Sequence, residues 1–185
     1  MTPNDKAIVM PSDVYRSRVN ALAVITSAAF FGANAFIGLS MGGYWLSLAP
    51  SEFVAQFFPQ FSNFLFTIMP FFLLMPVGLI LSARLDGHVA RARRNWVIAL
   101  WLYLAVSLIT IFYHMPLNVR LAAAIGSPVG DALDFYKGIA MTGPVTDENA
   151  ATIRGLWLLG HIPRVLITLA IPVYILRAMA AGPAR

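Results

Sequence analysis

The chain has 185 residues, 59% of them hydrophobic and only 11% charged, with a formal net charge of +5. A soluble domain is about 25% charged, and one core of this size cannot hide so much apolar side chain from water, so a soluble globular domain is excluded. The lack of any cysteine excludes disulfides, thiolate metal sites and cysteine nucleophiles.

Charge placement divides the chain. No Asp, Glu, Lys or Arg lies between Arg18 and Glu52, between Glu52 and Arg84, or between Arg94 and Arg120. Each gap can hold the ~20 apolar residues that cross a bilayer as a helix. The expected fold is all-α: an integral membrane, antiparallel four-helix bundle forming one domain over residues 1–185.

Residues 1–18 are polar and read as a cytoplasmic tail. The uncharged stretch after Arg18 is too long for the core of a signal peptide. It reads instead as a first span over residues 21–41, in a helix reaching towards Leu48. Gly38 and Gly42 form a small-xxx-small pair there, which lets a neighbouring helix come close. The second span is expected over residues 62–83, kinked by Pro70 and Pro76. The third is expected over 95–114, stopping before Pro116. Residues 115–156 form an outer loop and helix extension, with a short surface helix around 131–141. The fourth span is expected over 157–176. Its helix starts earlier, capped by Thr146, with Asp147 and Glu148 in the first turn where the helix dipole favours anions.

Nine of the thirteen Lys and Arg residues fall in the tail, the 84–94 loop and the C-terminus. The positive-inside rule then makes both termini cytoplasmic, in a bacterial inner membrane. The basic charge reads as topology and attraction to anionic lipid, with no nucleic-acid partner, and His88 in that loop reads as solvated.

Polar residues inside the spans are the candidates for chemistry. Arg154, Trp157, His161, Arg164 and Thr168 are spaced 3, 4, 3 and 4, one continuous helical stripe. Arg164 lies about 10 Å below Trp157, and an arginine at that depth either serves a site or snorkels to the surface. Pro163 either kinks this helix, freeing the Leu159 carbonyl, or marks where the membrane helix restarts. Tyr103, Ser107, Thr110 and His114 form a matching stripe on the third span. Ser107 and Thr110 either face the site or merely bond their own helix. Pro116 is expected to end or kink that helix, so that Asn118 folds back over the outer mouth. Asn34 and Ser27 on the first span, and Asn63 and Thr67 on the second, need partners at membrane depth, from the site or as interhelical glue. His114, Asn118, His161 and Arg164 are expected to converge at the outer end, with Asn34 or Asn63 facing the same place. The first half is rich in phenylalanine, which either packs, faces lipid or lines a flat aromatic pocket.

Several of these residues carry a resemblance. His114-Met115-Pro116-Leu117-Asn118 is similar to the Asn-x-Pro-x-Asn motif ending the third span of the anthrone oxygenase-like family, small four-span membrane proteins. Arg154, Trp157, His161 and Arg164 resemble that family's signature entering the fourth span. Phe30-Phe31-Gly32 and the glycine-rich end of the first span fit as well. The resemblance covers nearly the whole chain. It implies cofactor-free oxidation of an apolar, anthrone-like substrate by dioxygen. His114 or His161 would act as base, and Arg164 and Asn118 would hold the developing oxyanion. Asn34, Trp157, Tyr103 and Thr110 would contact the substrate.

Two other readings stand beside it. His114 and His161 could together hold a haem or a metal. Alternatively, the chain is a non-catalytic accessory or scaffold subunit of a larger membrane complex, its polar stripes serving as helix glue.

Overall fold

The computed structural model describes residues 11–128, 136 and 144–181. Apart from Tyr136, the surface helix expected over residues 131–141 lies outside them, as do residues 1–10 of the tail. Among the described residues the chain is helical, without strands. Helix α1 runs Pro11–Phe36 and continues through a π turn, Ile37–Met41, into α2, Gly42–Ser47. Helix α3 is Pro50–Leu85. Helix α4, Ala90–Ile109, passes through a second π turn, Thr110–His114, into α5, Met115–Ala124. Helix α6 is Asp147–Ala180. These make four segments long and apolar enough to cross a membrane. By length and composition the chain is an integral membrane protein.

The helices are longer than hydropathy alone implies. Residues 11–18 of the expected tail are already helical, with Asp13 in the first turn. The first helix runs to Ser47, close to the expected Leu48, but α3 already starts at Pro50, so the loop expected before residue 62 shrinks to an extended link at Leu48 and Ala49. Pro50 opens α3 at a position where its missing N–H costs nothing. The Glu52 carboxylate reaches back to the Ala49 N–H at 3.1 Å. Such a cap satisfies a donor that the helix itself leaves free. Pro59, Pro70 and Pro76 are accommodated within one continuous α3.

Pro116 does not end the third span. The helix runs on to Ala124, and the proline falls in the first turn after the π turn. A helical proline lacks a donor and crowds the carbonyl four residues back. The wider turn just before it gives that carbonyl room, so Asn118 stays on the helix and does not fold back over the mouth. Helix α6 likewise passes through Pro163 and Pro172 unbroken and does not restart at Pro163. It begins as expected: the Thr146 hydroxyl accepts from the Asn149 N–H, and the Asn149 side chain accepts from the Thr146 N–H. At 34 residues it is about 51 Å long, more than a hydrocarbon core requires.

The spans pack in a ring, each against the next and the fourth against the first. Missing side chains allow the close approaches. A Cβ on Gly78 would lie 2.9 Å from the Ala23 nitrogen, joining the first two spans. Gly38 and Gly42 meet His161 and Leu158 of α6. Two apolar clusters fill the interior. The one nearer the termini gathers Ala23, Phe30, Met75, Leu79, Trp96, Tyr103, Val106, Ile171 and Ile175. The other gathers Ile37, Trp45, Phe53, Phe57, Phe61, Leu117, Leu121, Ile153 and Trp157. The outside is apolar too: Leu39 and Phe66 are each 80% exposed. Those faces require lipid.

Candidate functional site

Between the two clusters lies a buried polar group drawn from three spans. Asn34 precedes the first π turn, His114 closes the second, and His161 and Arg164 sit one turn apart on α6. Asn34, His114 and His161 are each at most 2% exposed, and Arg164 is 8% exposed. The imidazole centroids of His114 and His161 are 5.9 Å apart, ring edge to ring face. Both π turns flank His161, since Gly38 of the first presses on its ring. Wide turns of this kind recur at functional sites, because they re-aim side chains and leave backbone groups free.

Each side chain has a specific environment. The His161 Nε2 is 2.9 Å from the Asn34 backbone oxygen. A carbonyl only accepts, so Nε2 carries the hydrogen and Nδ1 keeps a lone pair. That Nδ1 has no partner. The Asn34 side chain donates to its own helix at the Phe30 carbonyl, 2.8 Å, and leaves its Oδ1 unpaired. Neither nitrogen of His114 makes a hydrogen bond of good geometry, although the Ile109 and Trp157 carbonyls lie close by. The Arg164 Nε is also buried without a partner. Its guanidinium is within electrostatic reach of both imidazoles. Five polar atoms in one place thus lack what buried polar atoms ordinarily have.

Trp157 supports the group from the opposite end. Its indole stacks on His161 at 5.0 Å and 13°, and meets His114 edge-on at 5.1 Å. Its N–H donates to the Asn118 Oδ1 at 2.7 Å. Asn118 is therefore engaged with Trp157 and positions it. Arg154 is engaged elsewhere: it donates to the Trp45 and Leu48 carbonyls at 2.8 and 2.7 Å and so caps the end of the first span.

The other expected site residues are placed differently. Tyr103 packs on Phe72 in the cluster nearer the termini, about 16 Å along the helix from His114. The Thr110 and Ser107 hydroxyls bond their own helix, at the Val106 and Tyr103 carbonyls. Asn63 and Thr67 are exposed, and Thr67 bonds the Asn63 carbonyl. Of the two asparagines, Asn34 alone joins the group. His88 is exposed.

Two features escaped the sequence reading. Tyr113 lies across Gly160, lends its ring to His114 at 5.1 Å, and donates its hydroxyl to the Leu156 carbonyl at 2.6 Å. Its neighbour His114 and the pairing of a large with a glycine position were the available signals, but sequence alone does not give the register between helices. At the terminal end, the fully buried Asp86 pairs with Arg16 at 2.6 Å and accepts from the Trp96 indole at 2.8 Å. Asp86 is the lone acid in a basic loop, which was its signal.

Among the described residues no group of three or more His, Cys, Asp or Glu side chains is placed to hold a metal ion. A haem between His114 and His161 would need a flat gap between two parallel ligand directions. Trp157 instead packs against both rings, and the His161 Nε2 is turned to the Asn34 carbonyl. What the group offers is a base with a fixed tautomer, a second imidazole and a cation without a partner among the described residues. No family model, curated protein or solved structure matches the chain.

Proposed function

We propose that this protein is a membrane-embedded, cofactor-free oxygenase that oxidises an apolar, anthrone-like aromatic with dioxygen. The observation that carries the reading is the His161 ring, tied at Nε2 by the Asn34 carbonyl and bare at Nδ1, one helical turn from an unpaired arginine. A base is effective when a second group orients it and its lone pair faces the proton it takes. The His161 Nδ1 removes a proton from the acidic ring carbon of the substrate. The C–H electron pair moves into the ring system and charge accumulates on the ketone oxygen. Arg164, with His114 as a second donor, stabilises that oxyanion in a buried site. The electron-rich anion passes electrons to dioxygen and forms a carbon–oxygen bond. The proton returns from His161 to the peroxide, and loss of water leaves the second carbonyl. The balance is one anthrone and one dioxygen to one anthraquinone and one water, so no external reductant is required.

The same reading puts the protein in a bacterial inner membrane with both termini cytoplasmic, supported by the distribution of Lys and Arg. Oxygen consumption with anthrone, by purified protein in lipid nanodiscs, tests the activity. Turnover that depends on His161 is expected. A rate no higher than empty nanodiscs overturns it and leaves a scaffold role.

A further inference from the structure

Among the described residues Arg164 forms no ion pair and no hydrogen bond, although it is 8% exposed and its Nε is wholly covered. It lies about 20 Å along α6 from Arg177, well inside the apolar stretch. A cation at such depth is costly unless something pairs with it. Water would satisfy its donors but not its charge. Lipid phosphates lie at the interface, well above this depth.

The unpaired atoms also specify what fits. Arg164 and one nitrogen of His114 are donors. His161 Nδ1 and Asn34 Oδ1 are acceptors. A complementary head group must present acceptor oxygens to a guanidinium fork and a proton to an imidazole. A carboxylic acid does both. Its two oxygens match the paired donors of arginine, and its O–H reaches Nδ1. We infer that the site binds the head of a membrane-soluble carboxylic acid, a long-chain acid whose apolar body remains among the helices and lipid. On binding, the acid O–H bond breaks and an N–H bond forms at His161, leaving a carboxylate against Arg164. No co-reactant is used, and the combined charge of site and ligand does not change. This inference shares residues with the proposed oxygenase but does not need its chemistry.

The probe is palmitic acid carrying a diazirine at its far end, with the full chain in neutral phosphatidylcholine nanodiscs. Photolabelling is expected to saturate, to be competed by palmitic acid and not by methyl palmitate. Arg164→Met should lower labelling by about 10-fold or more, as loss of a charge-assisted bond implies. Methyl palmitate competing as well as the acid overturns the inference, as does undiminished labelling of Arg164→Met. Should that variant not fold, Arg164→Lys decides. It keeps the charge without the fork, so several-fold weaker capture is expected, and capture equal to the parent protein overturns the assignment. Acid capture without anthrone oxidation removes only the oxygenase reading. Oxidation without acid capture removes only this one.

Discussion

The His161 ring nitrogen Nε2 and the backbone carbonyl of Asn34 are 127 residues apart in sequence and 2.9 Å apart in space. Everything chemical at the site depends on that contact, because it settles which nitrogen holds the lone pair. His161→Phe keeps a flat ring under Trp157 but removes both nitrogens. Oxygen uptake with anthrone should fall by about 10²-fold or more, the scale of a lost general base, while thermal stability changes little.

Arg164→Met separates a site arginine from a structural one. It removes a buried, unpaired charge, so the unfolding temperature in detergent should hold or rise. Turnover should nevertheless drop by about 10²-fold, as for other donors that stabilise oxyanions. Unchanged turnover with lost stability would end the catalytic assignment.

Gly160→Ala should be severely destabilising. Its new Cβ would run into the Tyr113 ring, and overpacking of that kind costs roughly 1–3 kcal/mol or more. Tyr113→Ala in the same chain removes the clash. The double variant should therefore unfold at a higher temperature than Gly160→Ala alone, an interaction read from a double-mutant cycle.

At the terminal end, Arg16→Ala strands the fully buried Asp86 carboxylate with the Trp96 N–H as its remaining partner. A lost hydrogen bond to a charged group costs about 1.5–3 kcal/mol. Asp86→Asn added to it should recover part of the loss, because the amide oxygen still accepts from Trp96 and no charge is left over. Thermal unfolding of the parent protein and the two variants measures this.

Orientation is testable because the chain has no native cysteine. A membrane-impermeant maleimide applied to intact cells should modify Ala151→Cys and spare Ala90→Cys. The reverse pattern inverts the proposed topology.

The spans and the His161–Arg164 stripe were legible in the sequence because they follow from periodicity and from charge-free length. The same evidence missed the starts of α1 and α3 and the end of the third span, although the Thr146 cap of α6 was read correctly. Hydropathy marks where lipid begins, whereas Pro50 with Glu52, and Pro11 with Asp13, start helices well outside it. Pro116 was misread because a π turn absorbs its defect, and nothing local encodes that turn. Tyr103 and Thr110 share a helical face with His114, but a shared face says nothing of depth. Tyr103 lies three turns away, in another layer. Asn118 was expected to fold back over the outer mouth and hold an oxyanion, but it is buried on the helix and its side-chain carbonyl serves Trp157.

The cluster of Phe30, Met75, Leu79, Trp96 and Val106 stands between the histidines and Asp86. Four hydroxyls beside it are bonded locally: Thr26, Ser27, Ser107 and Thr168 each donate to a carbonyl of their own helix, while the buried Ser82 hydroxyl, one turn from Asp86, has no partner among the described residues. Among the described residues those four bonds each close within one helix, so they form no chain from Arg164 to the terminal end of the bundle. Vesicles packed with the protein are therefore expected to hold an imposed pH gradient as tightly as bare lipid.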